Sequence, residues 1–239
     1  VAEMINIERS NDGEIVVLRL PNSDMNNAIQ WEFEDSCITV SQDSDVRVVI
    51  LTSSSPDFVS SSLENNFGLA SSVALIKQPV LSVINDSAHG LGLELILASD
   101  VRICALKSEF SMPHVAHGVI PSDGGTQRLP RLVGQGRALE IILTSRVVGA
   151  QEALEIGMVH QVCDADPFED AYCIAKKIAA HGPRAAQYLK EAVYTGSDMT
   201  LRQGMSLEAD MSVILQSTLD RTEGINSFLE RRAPNFKGD

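Results

Sequence analysis

Short apolar runs alternating with helical stretches constrain this chain more than any other feature. Val46-Arg47-Val48-Val49-Ile50-Leu51, Val80 to Ile84 and Val101 to Ala105 are too short for stable helices and are bounded by polar or turn residues, as buried strands are. Asn26 to Ser41, ahead of the first run, spaces Ala28, Ile29, Phe33, Cys37 and Val40 along one helix face. Val73 to Lys77 ends a second helix, broken by Pro79, and Leu91 to Ser99 predicts a third. Strands joined through helices pair in parallel, so the sheet is expected to be largely parallel and covered by helices. Ile5 to Glu8 and Glu14 to Leu20 flank Asn11-Asp12-Gly13, whose Asp-Gly supplies the positive φ angles of a tight opening hairpin. From Gly134 the pattern becomes almost wholly helical, over Ala138 to Thr144, Ala150 to Gly157, Phe168 to His181, Pro183 to Thr195 and Leu201 to Leu229. The expected organisation is an αβ core over residues 1–180 followed by a helical region over 181–239.

Composition removes several function classes. At 239 residues, 44% hydrophobic and 21% charged, the chain is large and apolar enough to bury a core, so disorder and fibrous repeats are excluded. A formal net charge of −13 repels a phosphate backbone, so nucleic acid is not an expected partner. No apolar stretch approaches the roughly 20 residues that cross a bilayer. Val1 to Ser10 carries Glu3, Glu8 and Arg9 and lacks the basic-then-apolar plan of a secretory signal, so the cytoplasm, or an organelle lumen after processing, is the expected location. Cys37, Cys104, Cys163 and Cys173 show no Cys-x-x-Cys spacing and are read as buried small hydrophobes in a reducing compartment, neither metal ligands nor a disulfide framework.

Three segments carry chemistry. Ile84 to Leu95 is a strand end, a glycine-containing turn and a helix, and at such a helix start unpaired N–H groups favour a developing negative charge. Glu94, in the first turn or so, either complements the helix dipole or faces a ligand. The loop Phe58 to Ser62 either offers a second backbone N–H, completing an oxyanion hole, or is a solvated serine loop. The third segment runs from Phe110 to Leu129 and contains His114, His117 and Asp123. Pro113 and Gly118 argue for a loop there, against metal ligation by His114 and His117 on a helix.

The string Ile-Pro-x-x-Gly-Gly-Thr-Gln-Arg-Leu-x-Arg-x-Val-Gly over Ile120 to Gly134, the Asn85 to Asp100 stretch and the ending Phe228 to Lys237 resemble the crotonase (enoyl-CoA hydratase/isomerase) superfamily, with similarity from Ile5 to Asp239. The resemblance implies a crotonase (ClpP-like) spiral of ββα repeats with a helical C-terminal subdomain, residues 181–239 serving trimerisation in a homotrimer or dimer of trimers. It implies an acyl-CoA substrate, with no metal and no redox cofactor. The thioester oxygen would lie between the backbone N–H groups of Ser62 and Leu91, with Ser60, Gly90, Phe236 and Lys237 binding substrate or CoA, the last two reaching a neighbouring subunit's ligand. Arg128 and Arg131 would hold the loop or the trimer interface.

Several positions depart from the family pattern. Ser61, Leu91, Asp86 and Ser122 stand where glycines are usual, and the stretch from Ser62 to Pro79 is short. Of the two glutamates that hold water in the family's hydratases, the first falls on Glu94 and the second on His114, whose imidazole exchanges protons near neutral pH. Asp123, nine residues on, completes a His-x8-Asp arrangement resembling the superfamily's C–C hydrolases of β-diketones, and is expected to orient His114 or its water. Reversible hydration of a 2-enoyl-CoA, or isomerisation, leads. The alternatives are hydrolysis of a β-diketone-type substrate by a His114/Asp123-activated water, and a catalytically degenerate acyl-CoA-binding subunit. His89, His117, His160 and His181 are left without a role.

Overall fold

The computed structural model describes residues 5–21, 25–55, 57–59 and 68–239. Strands β1 (Asn6–Arg9) and β2 (Ile15–Leu20) form the opening hairpin, with Gly13 at φ +77° in its turn. Helix α1 (Asn27–Gln42) starts where the Asn26 side chain accepts the amides of Ala28 and Ile29, two donors the helix itself cannot satisfy. There follow β3 (Val48–Ser53), α2 (Leu69–Ala74), β4 (Val80–Ile84), β5 (Ser87–His89), α3 (Leu91–Leu97), β6 (Val101–Ala105) and β7 (Glu109–Ser111). After a short 3-10 turn at Val115–His117 come α4 (Gly125–Val133), α5 (Gln135–Thr144), β8 (Val148–Gly149), α6 (Ala150–Glu155) and β9 (Gln161–Cys163). The chain closes with α7 (Pro167–Ala179), α8 (Pro183–Ser197), α9 (Leu201–Gln216) and α10 (Leu219–Glu230).

The main sheet has the order β1-β2-β3-β4-β6-β9 and is parallel apart from β1. Its central strands β2, β3, β4 and β6 are buried on both faces, and alternate residues divide between two cores. Val16, Leu18, Val49, Leu51, Val80 and Ile84 face α1, α2 and α3, whereas Ile15, Val17, Val48, Ile50, Leu81, Val83 and Ile103 face α7. Ala171, Ala175 and Ala179 recur every four residues along α7, and their small side chains let that helix lie close against the sheet.

After Gly134 the chain is almost wholly helical as expected, with two short strands added: β8, and β9, which pairs with β6 at the sheet edge. A second sheet of order β5-β7-β8 also forms, and α4 has no counterpart in the sequence reading. Strands of two or three residues are too short to display a period of two, which is why the pattern hides them. Cys37, Cys104 and Cys163 are buried as expected, but Cys173 is exposed.

Candidate active site

Four elements place the site: the β5–α3 turn, α3, the segment after β7, and the start of α4. Gly90 links β5 to α3 with φ +51°, its amide bonded to the Ser111 carbonyl at 3.0 Å. Leu91 is the first residue of α3 and is buried, so its N–H lies ahead of the helix's own hydrogen-bond ladder and, among the described residues, bonds no backbone carbonyl. Asp57 to Val59 abuts this turn: Phe58 N–H bonds the Ser87 carbonyl at 2.7 Å, and a Cβ on Gly92 would lie 3.4 Å from Val59 N. Ser60 and Ser62, the expected CoA contact and second oxyanion donor, fall outside the described residues.

Glu94, on the first turn of α3, is only 1% exposed. Its Oε1 accepts two backbone amides, from Asp123 and Gly125, each at 2.8 Å. Its Oε2 faces His114 Nε2 at 3.7 Å, beyond a direct hydrogen bond. His114 is 6% exposed and packs beside Gly90, where an added Cβ would approach its Cε1 to 3.8 Å. Its Nδ1 is buried and has no partner among the described residues. Burial pushes the Glu94 carboxyl up, against the pull of its amide donors. Burial, with a smaller contribution from His117, pushes the His114 imidazole down. Both shifts favour the neutral form.

Gly125 gives this cradle its room. A Cβ there would stand 2.8 Å from Met112 Cε, 2.9 Å from Pro121 Cβ and 3.0 Å from Glu94 Oε1. Gly125 stands within the Gly-Gly-Thr-Gln-Arg-Leu string, but the close approach of three side chains to it is legible only in three dimensions.

Asp123 requires a correction. Its carboxylate accepts the Ala70 amide at 2.6 Å and the Ser71 hydroxyl at 3.3 Å, at the start of α2, and makes no hydrogen bond to His114. Phe236 and Lys237 are likewise engaged elsewhere within this chain. The Phe236 ring lies against Gly182 and Gly224, at α8 and α10, and its carbonyl accepts Arg47 Nη2 at 2.7 Å. The Lys237 amide bonds the buried Asp220 carboxylate at 2.7 Å, leaving its side chain exposed. Arg128 Nη1 donates to the Asp123 carbonyl at 2.7 Å, so it braces the loop before α4. His117 Nδ1 meets the Pro113 carbonyl, His89 Nδ1 meets Ser111 Oγ, and His160 Nδ1 accepts the Arg102 amide. Among the described residues no group of three or more His, Cys, Asp or Glu side chains could hold a metal ion.

The parallel main sheet, the small second sheet and the helical C-terminal part are those of a crotonase-fold protein. Enoyl-CoA hydratase from Bacillus anthracis superimposes with a TM-score of 0.92 at 33% identity, covering 98% of this chain and 99% of that one. The profile of the enoyl-CoA hydratase/isomerase family matches residues 60–239. The 2,3-dehydroadipyl-CoA hydratase of Escherichia coli is 30% identical over 229 residues, covering 90% of each chain. The crotonyl-CoA hydratase of Syntrophomonas wolfei is 32% identical over 253 positions and 97% of each. That span exceeds this chain's 239 residues, so the relative carries residues with no counterpart here. The chain belongs to the enoyl-CoA hydratase/isomerase family and is an enoyl-CoA hydratase-like acyl-CoA enzyme, of lyase or isomerase type.

Proposed function

We propose that the protein adds water reversibly across the double bond of a 2-enoyl-CoA, using Glu94 and His114 as one proton-handling pair. The observation that carries this reading is the 3.7 Å gap between Glu94 Oε2 and His114 Nε2 in a buried site. A water at about 2.8 Å from both atoms would subtend roughly 80° at its oxygen, which suits one molecule held by two partners. Neutral Glu94 with neutral His114, and ionised Glu94 with protonated His114, hold the same single transferable proton. In the neutral pair, His114 Nε2 takes a proton from water as its oxygen attacks C3, and the Glu94 carboxyl delivers one to C2. Electrons displaced in between rest on the thioester oxygen, held by the Leu91 N–H and, on our reading, by that of Ser62. A second proton on the pair leaves no base, and loss of the last leaves no acid, so activity should be bell-shaped in pH.

Gly90 and Ser60 are proposed to line the acyl-CoA path, and no metal or redox cofactor enters the scheme. We assign residues 181–239 to assembly as a homotrimer or dimer of trimers. Support comes from the exposed apolar faces of α8 to α10, where Leu201, Phe228 and Leu229 are 81%, 82% and 72% exposed. Lys237 would then offer its ammonium group to a neighbour's CoA phosphates. The four free cysteines suit a reducing, cytoplasmic setting, and no helix among the described residues is long and apolar enough to cross a membrane. Hydrolysis through His114 and Asp123 is not favoured, because the Asp123 carboxylate is occupied at α2. Purified protein should consume crotonyl-CoA with loss of the enoyl absorbance; an unchanged signal from protein that binds CoA would end the hydratase reading.

A further inference from the structure

Helix α2 has a problem at its start. Its N-cap is Gly68, at φ +100°, which has no side chain to accept the first helical amides. The helix has only six residues and Ala70 is fully buried, so an amide without a partner there could not turn to water. The acceptor comes from 53 residues away: Asp123 Oδ2 takes the Ala70 amide at 2.6 Å, and Oδ1 takes the Ser71 hydroxyl at 3.3 Å. The same residue's N–H donates to Glu94 Oε1 at 2.8 Å. Helix α2 in turn packs on α1 and on α3, which carries Glu94.

We infer that Asp123 is a positioning residue whose carboxylate caps α2 while its own amide seats Glu94, so that α2, α3 and the start of α4 are tied together at the proton-handling carboxylate. It touches neither water nor substrate in this role. Arg128 Nη1, bonded to the Asp123 carbonyl at 2.7 Å, braces the clasp from α4. The clasp rests on the reading of Glu94 as a proton-handling group, but its cap can be measured without activity.

Two variants separate this role from a chemical one. In Asp123→Asn the amide oxygen can still accept from Ala70, whereas Asp123→Ala leaves that amide buried and alone. Hydrogen exchange over residues 68–74 should stay near wild-type protection in Asp123→Asn and become at least tenfold faster in Asp123→Ala. With crotonyl-CoA, Asp123→Ala should lose roughly ten- to a hundredfold in kcat at little change in KM, the range for small misplacement of a reacting group, and Asp123→Asn should recover most of it. Charge gives a readout that packing alone would not move. The groups facing Glu94 are His114 and Asp123, with His117 and Arg128 behind them, and the Asp123 charge holds the Glu94 carboxyl higher. Asp123→Asn should therefore move the alkaline limb of kcat to lower pH. The inference is overturned if exchange over 68–74 is unchanged in Asp123→Ala, or if Asp123→Asn is as inactive as Asp123→Ala. Should Asp123→Ala not fold, Asp123→Asn decides alone, by its activity and its shifted limb. If wild-type protein fails to hydrate crotonyl-CoA, the functional reading falls while the exchange experiment still judges the cap.

Discussion

Gly125→Ala adds one methyl group at the point where Glu94, Met112 and Pro121 all close on the start of α4. The new Cβ would lie 2.8 Å from Met112 Cε, 2.9 Å from Pro121 Cβ and 3.0 Å from Glu94 Oε1. Pro121 cannot swing away because its Cβ belongs to a ring, so relief must come from the flexible ends of Met112 and Glu94. Overpacking of this kind costs about 1–3 kcal/mol. Gly125 is the first residue of α4, where the interior preference for alanine does not apply, so the folded state should lose about 1–3 kcal/mol. Displacing Glu94 Oε1 from the Gly125 amide removes a hydrogen bond to a neutral carboxyl, about 0.5–1.5 kcal/mol, which converts to roughly two- to tenfold in kcat. That amide also draws the Glu94 carboxyl down, so its loss should carry the alkaline limb to higher pH, opposite to Asp123→Asn. Stopped-flow hydration of crotonyl-CoA across pH, beside a urea melt, measures both effects. Wild-type kcat and an unmoved limb in a folded Gly125→Ala protein would refute the account of the cradle.

Other outcomes follow from the same geometry. The acid limb requires a second proton to arrive on His114, whose imidazole burial holds below its ordinary 6.5; kcat measured against pH should therefore fall off below that value, and an acid limb above it would contradict a buried imidazole. Asp220→Ala should free the C-terminal tail, because its carboxylate holds the amides of Lys237 and Gly238 at 2.7 and 2.9 Å. The expected loss is about 1–3 kcal/mol, read from a urea melt, with faster hydrogen exchange over residues 233–239. Thiol alkylation of native protein at neutral pH should modify Cys173 first, since burial pushes Cys37 and Cys104 up to about 12 and Cys163 up to about 11. Mass spectrometry finding Cys104 among the fast thiols would show that the core opens readily.

Much of the scaffold is legible because its central strands are buried on both faces and read as continuous apolar runs. Val80 to Ile84 and Val101 to Ala105 match β4 and β6 to the residue. The hairpin is legible because Asp12-Gly13 has a local backbone demand. The small sheet is not, since the pairing of Phe110 with Ala88 and Val148 is decided by chain segments far apart in sequence. At the site, the family pattern singles out Glu94 and His114, and the fold brings the two side chains to 3.7 Å in a buried pocket. Asp123 was misread for a physical reason: spacing along the chain told of proximity to His114, but a glycine at the cap of a remote helix decided where the carboxylate turned.

The central claim is that Glu94 and His114 act as one unit. Comparing kcat for Glu94→Gln, His114→Ala and the double variant against crotonyl-CoA tests it most directly. Groups that share one proton lose their joint function when either is removed, so each single variant should fall about 10²- to 10⁴-fold and the double hardly further. Single losses that multiply in the double variant, or a His114→Ala protein as fast as wild type, would contradict it.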